Sequence, residues 1–369
     1  MNGDRRIHVF STCPQSRDGE RRGYLKRVAD AARWSEQQGC EGMLVYSDNG
    51  LADPWLVSSA VLESTTRLCP LVAVQPAYEH PYAIAKRIAT YAHLHERRIC
   101  LNMIAGGFKN DLTALGDATP HDERYARLTE YTQIITRLLE SDAPVTLEGR
   151  HYRVQGLTLA PAIAAELRPG VLMSGSSDAG LAAARATGAI PIRYPGRATD
   201  ERPHAPGEGP HPGVRVGIIA RGTPEEAWRI AHERFPPDRK GQIAHRLAMK
   251  TSDSQWHRQL SEMAATDAGR DDPYWLGPFE NYRTFCPYLV GSHERVAGEL
   301  ARYVALGHRT FVLDIPPSEE DLAHAAHVFR RALEQSCDDP ALAASARRAR
   351  RGPSALVSRA PRASARTPS

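Results

Sequence analysis

No run of about eighteen apolar residues occurs in the 369-residue chain, so no membrane-spanning helix is expected. The opening, MNGDRRIHVF, lacks the basic-then-apolar order of a secretory leader. A soluble, cytoplasmic protein with no membrane partner is expected. The six cysteines, at 13, 40, 69, 100, 286 and 337, include no C-x-x-C pair and no disulfide-scaffold spacing, so they read as reduced and structural. Also missing are G-x-G-x-x-G after a strand, G-x-x-x-x-G-K-[ST], H-E-x-x-H and G-x-S-x-G. Their absence argues against nicotinamide storage, a P-loop, a zincin metal site and a serine hydrolase, and no metal is expected.

Acidic residues are missing from one end. After Asp339 the chain holds seven arginines and no acid, so the net +4 of the whole becomes −3 for the remainder. Arginine here alternates with Ala, Ser and Pro, without an aromatic for base stacking, which excludes a nucleic-acid platform. Residues 337–369 therefore read as a disordered basic tail behind a single domain over 1–336.

What is present is a rhythm. An apolar stretch from Ile7 to Cys13 leads through a loop to a periodic segment from Tyr24 to Gln38, which stops at Gly39. Gly42–Tyr46, Leu68–Val74 and Ile99–Ile104 repeat the unit, with helices after Pro54 and Pro81. Gly170–Met173, Val214–Ile219, Tyr288–Val290 and Thr310–Leu313 continue it, each followed by a helical pattern. Strands separated by amphipathic helices demand parallel pairing, and about eight such units favour a closed (β/α)8 TIM-type barrel, an α/β fold, over an open sheet. Two segments interrupt the count: a hairpin pattern over Val145–Val154, and residues 236–282, which carry Trp256 and Trp275 and read as a lid at the catalytic face.

Two motifs carry chemistry. V-L-M-S-G-S-S-D-A-G, from Val171 to Gly180, runs from a strand through Gly175, Ser176 and Ser177 into a helix. A phosphate needs unpaired backbone N–H groups at a helix N-terminus, close approach at a glycine and hydroxyl donors, and this segment offers all three. The plainer alternative is an ordinary serine N-cap, and both stay open at this point. H-D-E-R-Y places His121 and Tyr125 one turn apart at a helix start, facing one way. They read either as ligand contacts or as a cap followed by a packed tyrosine.

N-M-I-A-G-G, H-D-E-R-Y, L-E-G-R-H-Y-R-V and S-G-S-S-D-A, in that order, resemble the alkanesulfonate monooxygenase branch of the bacterial luciferase-like flavin monooxygenases. The likeness runs from R-G-Y-L-K-R-V-A-D-A-A through V-A-V-Q-P to Y-L-V-G-S-H-E-R-V and T-F-V-L-D, roughly residues 5 to 335. It implies a barrel binding FMN at the C-terminal strand ends. Asn102 and Ala105 would lie beside the flavin, His121 and Tyr125 at its phosphate or ribityl chain, and Ser176 and Ser177 around the phosphate. At Ala105 relatives often carry a hydroxyl.

The resemblance further implies that reduced FMN comes from a separate reductase and, with O2, oxygenates a small organic substrate inside a lidded, water-excluding site. Arg215 and Arg283 fall close to positions that clamp an anionic sulfonate. Three departures alter the substrate side. Gly217 replaces a histidine two positions past the strand arginine, Leu51 replaces a cysteine, and Asp314-Ile315-Pro316-Pro317 replaces the surroundings of a late tyrosine. The same cofactor with a different substrate follows, either sulfonate-like or a specialised metabolite. Asp314 reads first as a helix cap, and second as a carboxylate for an amine or a base. Competing functions are a deazaflavin-dependent dehydrogenase of the same superfamily and a non-catalytic flavin-binding protein. A homo-oligomer is expected from the relatives.

Overall fold

A computed structural model describes residues 6–107, 109–205, 207–251, 260–261 and 272–338. The strands are β1 (His8–Thr12), β2 (Gly42–Val45), β3 (Cys69–Val74), β4 (Cys100–Ile104), β5 (Val145–Glu148), β6 (Arg153–Leu157), β7 (Val171–Ser174), β8 (Ile190–Arg193), β9 (Gly213–Arg221), β10 (Tyr274–Trp275), β11 (Tyr288–Ser292) and β12 (Thr310–Leu313). The helices are α1 (Tyr24–Gln37), α2 (Pro54–Ser64), α3 (Pro81–His95), α4 (Lys109–Ala114), α5 (His121–Glu140), α6 (Asp178–Thr187), α7 (Pro224–Arg234), α8 (Arg239–Thr251), α9 (Gly277–Glu280), α10 (His293–Ala305) and α11 (Glu319–Asp338).

Strands β1, β2, β3, β4, β7, β8, β9 and β12 pair in parallel in that order, and β12 returns to β1, closing a (β/α)8 barrel. The expected number of ring strands holds, but its membership differs in one place. Ile190–Arg193 is a ring strand that the periodicity did not reveal, whereas Tyr288–Ser292, counted as a ring member, lies outside the ring. It pairs in parallel with Gly217–Arg221, the C-terminal half of β9, whose first half is held between β8 and β12. The hairpin forms where expected, as β5 and β6.

Local chemistry starts the helices. Asp53 accepts from the backbone N–H of Trp55 and Leu56 ahead of Pro54, and His80 caps α3 ahead of Pro81. Thr223 does the same ahead of Pro224 in α7. A capping acceptor followed by a proline at the first helical position both satisfies orphan donors and presets the backbone.

Side chains alternate along the strands between the two sides of the ring. Phe10, Leu44, Leu71, Ala73, Leu172, Ile192 and Val312 form one inner cluster. Met43 and Val45 instead join Val28, Ala31 and Ala32 of α1 in the outer layer. The barrel interior is thus a packed plug, and its upper residues Leu44, Leu71, Ala73, Leu172, Ile192 and Val312 form the floor of the main cavity. No helix among the described residues is long and apolar enough to cross a membrane. The five described cysteine side chains, Cys13, Cys40, Cys69, Cys100 and Cys286, are free thiols. The expected tail lies outside the described residues from 339 onward.

Candidate active site

A cavity of about 890 Å³ opens over this floor at the C-terminal strand ends, where barrel folds build their active sites. Asn102, Ala105, His121, Tyr125, Ser176, Ser177, Arg215 and Arg283 all line it. The structure therefore brings together residues drawn from β4, α5, the β7–α6 loop, β9 and the segment before β11.

One wall is a cradle formed by β4, α5 and the β7–α6 loop. Asn102 on β4 is buried, and its side-chain oxygen accepts from Ser174 Oγ at 2.8 Å across the β4–β7 pair. Tyr125 lies against the next residues: a Cβ on Gly175 would sit 2.3 Å from its Oη, so only glycine admits this ring beside the loop backbone. His121 approaches the Tyr125 ring edge-on, with centroids 5.2 Å apart. Burial raises the Tyr125 phenol above its ordinary value, partly offset by the Ser177 hydroxyl, so it stays a neutral donor.

The two serines differ. Ser177 is the N-cap of α6 and accepts from the Gly180 N–H at 3.2 Å, as the plainer alternative required. Ser176 Oγ is buried with no hydrogen-bond partner among the described residues. Arg124 was not singled out in the sequence, although it adjoins Tyr125. It is buried, lines the cavity and donates to the Thr119 carbonyl at 2.9 Å.

The opposite wall is a charge pair. Arg215 on β9 is 7% exposed, and its guanidinium carbon stands 4.7 Å over the Tyr46 ring. Its Nη2 donates to Asp314 Oδ1 at 3.4 Å, while Nε is buried with no hydrogen-bond partner among the described residues. The second oxygen, Asp314 Oδ2, accepts from Thr284 Oγ1 at 2.6 Å and from Tyr288 Oη at 2.8 Å. Asp314 is thus not the helix cap expected first: Ser318 accepts the Asp321 N–H at the start of α11, and Asp314 spends its oxygens on the cavity wall.

Burial and the Asp314 charge push the Tyr288 phenol well above its usual value, so it is held as a proton donor to the carboxylate. The departure at Gly217 has its reason here, because a Cβ there would lie 2.3 Å from the Tyr288 ring. The tyrosine from β11 occupies the space that a side chain on β9 would fill.

Arg283 is at the rim. Its side chain is 56% exposed and pairs with Asp238 at 2.8 Å. The two arginines expected as clamps thus differ in exposure, and each is engaged by its own carboxylate. Of the expected lid, α8, β10 and α9 are described, and Trp275 lies in β10, opposite Tyr288 of β11. Residues 252–259 and 262–271, with Trp256, lie outside the described residues. Phe235, Tyr282 and Phe285, at the two ends of this segment, face the cavity. Among the described residues no group of His, Cys, Asp or Glu could hold a metal ion.

Residues 5–310 match the luciferase-like monooxygenase family. The chain belongs to that family. It is 36% identical over 311 residues, 83% of this chain and 91% of the other, to 4-(gamma-L-glutamylamino)butanoyl-(BtrI acyl-carrier protein) monooxygenase BtrO of Niallia circulans. Among solved structures, EDTA monooxygenase EmoA from Chelativorans sp. BNC1 superposes with a TM-score of 0.68 at 16% identity, covering 92% of this chain and 98% of the other. The oxygenating constituent of 3,6-diketocamphane monooxygenase from the CAM plasmid of Pseudomonas putida, in complex with FMN, gives 0.60 at 16% identity, covering 89% and 96%.

The protein is accordingly a flavin-dependent monooxygenase of the luciferase-like family. The cradle fits a flavin phosphate: an unpartnered buried hydroxyl at Ser176, the N-terminus of α6 and a neutral phenol at Tyr125 converge on one wall.

Proposed function

We propose that this enzyme uses reduced FMN, supplied by a separate reductase, and O2 to oxygenate a small specialised metabolite. One cavity carries the reading: its volume, about 890 Å³, accommodates a cofactor and a small substrate together, with the phosphate cradle on one wall and a polar group on the other. The flavin, when bound, supplies the redox chemistry that activates oxygen.

In this reading Ser176, Ser177 and the first turn of α6 bind the phosphate, and His121 and Tyr125 orient the adjoining chain. Asn102 and Ala105 border the isoalloxazine ring. Asn102 is fixed for that task by Ser174, and Ala105, without a hydroxyl, leaves an apolar contact. Phe235, Tyr282 and Phe285 narrow the mouth and exclude water, so that polar groups inside act in a low dielectric. The expected lid role of residues 236–282 belongs to this proposal, and so do a homo-oligomeric state and the Arg215 contact to substrate. Arg283 contributes at the rim as an entry contact.

The 36% identity to BtrO, a monooxygenase named for a glutamylamino-acyl group held by a carrier protein, supports a biosynthetic intermediate over an alkanesulfonate. The deciding experiment is anaerobic titration with reduced FMN and with reduced deazaflavin, followed by admission of ¹⁸O2 with candidate substrates. Tighter binding of reduced FMN and label from O2 in the product are expected. Preference for deazaflavin with oxygen-independent oxidation would replace the reading by a dehydrogenase, and flavin binding without turnover of any candidate would leave a carrier protein.

A further inference from the structure

The wall opposite the cradle holds one positive and one negative group, arranged so that neither is saturated. Arg215 makes a single long hydrogen bond of 3.4 Å to Asp314 and lies over the Tyr46 ring, and its Nε is buried with no hydrogen-bond partner among the described residues. Asp314 has one oxygen occupied twice, by Thr284 and Tyr288; the buried Cys286 thiol also lies against the carboxylate, and Oδ1 takes the long bond from Arg215. Both side chains are nearly enclosed, at 9% and 12% exposure. An under-bonded donor and an under-bonded acceptor, side by side in an enclosed site, are costly unless a ligand completes them.

We propose that Arg215 and Asp314 together form the head-group subsite of the substrate chamber and select a neutral amide, whose carbonyl accepts from the guanidinium and whose N–H donates to Asp314 Oδ1. This inference rests on the reading of the cavity as a cofactor-plus-substrate chamber. The selection is electrostatic. A free sulfonate approaching Arg215 meets the Asp314 carboxylate already beside it, and an alkylammonium approaching Asp314 meets the guanidinium. Each partner cancels much of the attraction the other would offer an ion, so neither ion recovers at this pair the cost of leaving water. An amide adds no net charge and satisfies both partners. Tyr288 and Thr284 are positioning residues: by binding Oδ2 they fix the carboxylate so that Oδ1 faces Arg215. Gly217 is the condition for this arrangement, since a side chain there would expel the Tyr288 ring.

Three ligands of matched length test the subsite by ligand-observed NMR titration, with and without saturating FMN: butane-1-sulfonate, pentanamide and pentan-1-ammonium. In the wild-type protein the amide is expected to bind roughly tenfold tighter than either ion. Asp314→Asn removes the charge and keeps an acceptor, so sulfonate affinity should rise by roughly tenfold while amide affinity changes little. Tyr288→Phe removes one donor and leaves the charge, so sulfonate should stay excluded.

Wild-type binding of either ion as tight as the amide would overturn the inference without any variant. Unchanged sulfonate affinity in Asp314→Asn, or a gain in Tyr288→Phe equal to that in Asp314→Asn, would overturn it as well, because the gate would then be steric. Failure of FMN to bind would appear in the flavin titration alone and would count against the proposed cofactor, not against the head-group selection.

Discussion

Ser177 uses its side chain to accept the Gly180 N–H, whereas its neighbour Ser176 buries a hydroxyl with no partner among the described residues. Substituting them should therefore affect folding stability differently. Ser177→Ala removes a helix cap and is expected to cost about 1 kcal/mol of folding stability, read as a lower midpoint in urea unfolding. Ser176→Ala removes no internal bond; it should leave that midpoint in place and weaken FMN binding by about 1–2 kcal/mol, roughly five- to thirtyfold in Kd, by fluorescence quenching. The reverse pattern would move the phosphate away from Ser176. The motif holding these residues was legible because its parts are contiguous. The role of Asp314 was not: Thr284, Tyr288 and Arg215 lie 30, 26 and 99 positions away, and only closure of the barrel brings them together.

At the scale of elements, the strand–helix rhythm was readable wherever a strand is a run of buried apolar residues, as in β2 and β3. It failed at β8, four residues long, I-P-I-R, in which Pro191 removes a ladder donor. It also admitted β11, whose Y-L-V-G pattern is strand-like but does not say which edge it joins. Ring membership is decided by two neighbours, and periodicity reports neither.

The α10–α11 pair carries a pH prediction. His293 begins α10; its Nε2 lies 2.9 Å from His324 Nδ1 on α11, and the His327 ring stacks edge-on at 4.8 Å. Burial first, then the charges of His324, His327, Arg221 and Arg331, lower the His293 pKa below 6.5. Because the unfolded chain takes up this proton more readily, the linked stability is intact above the unfolded pKa and is lost as pH falls through it. His308, lowered by burial against the opposing pull of Glu201, adds in the same direction. The thermal midpoint should fall between about pH 7.5 and about pH 5.5, and His293→Gln should make the slope shallower. A slope of opposite sign, or one that the substitution leaves untouched, would show that the histidines titrate normally.

For the whole molecule, ring closure couples the cradle to everything else. Asn102 is on β4, Ser174 ends β7 and Tyr125 is on α5, and β4 and β7 are hydrogen-bonded members of the single closed sheet. A ligand seated on this wall contacts two adjoining ring strands and a helix packed outside them, so unfolding any of the three takes the site apart. Binding should then stabilise the barrel as one cooperative unit and not only its mouth. FMN at a hundredfold its Kd contributes about 2.7 kcal/mol. For a chain of this size that corresponds to an upward shift of roughly 2–4 °C in the midpoint, as one transition in calorimetry. Ser176→Ala at the same total FMN should shift less, while its ligand-free midpoint stays with the wild type. A second, lower transition unmoved by FMN would mean that part of the barrel unfolds independently of the cradle, and that the closed sheet does not transmit the binding energy across β4 and β7.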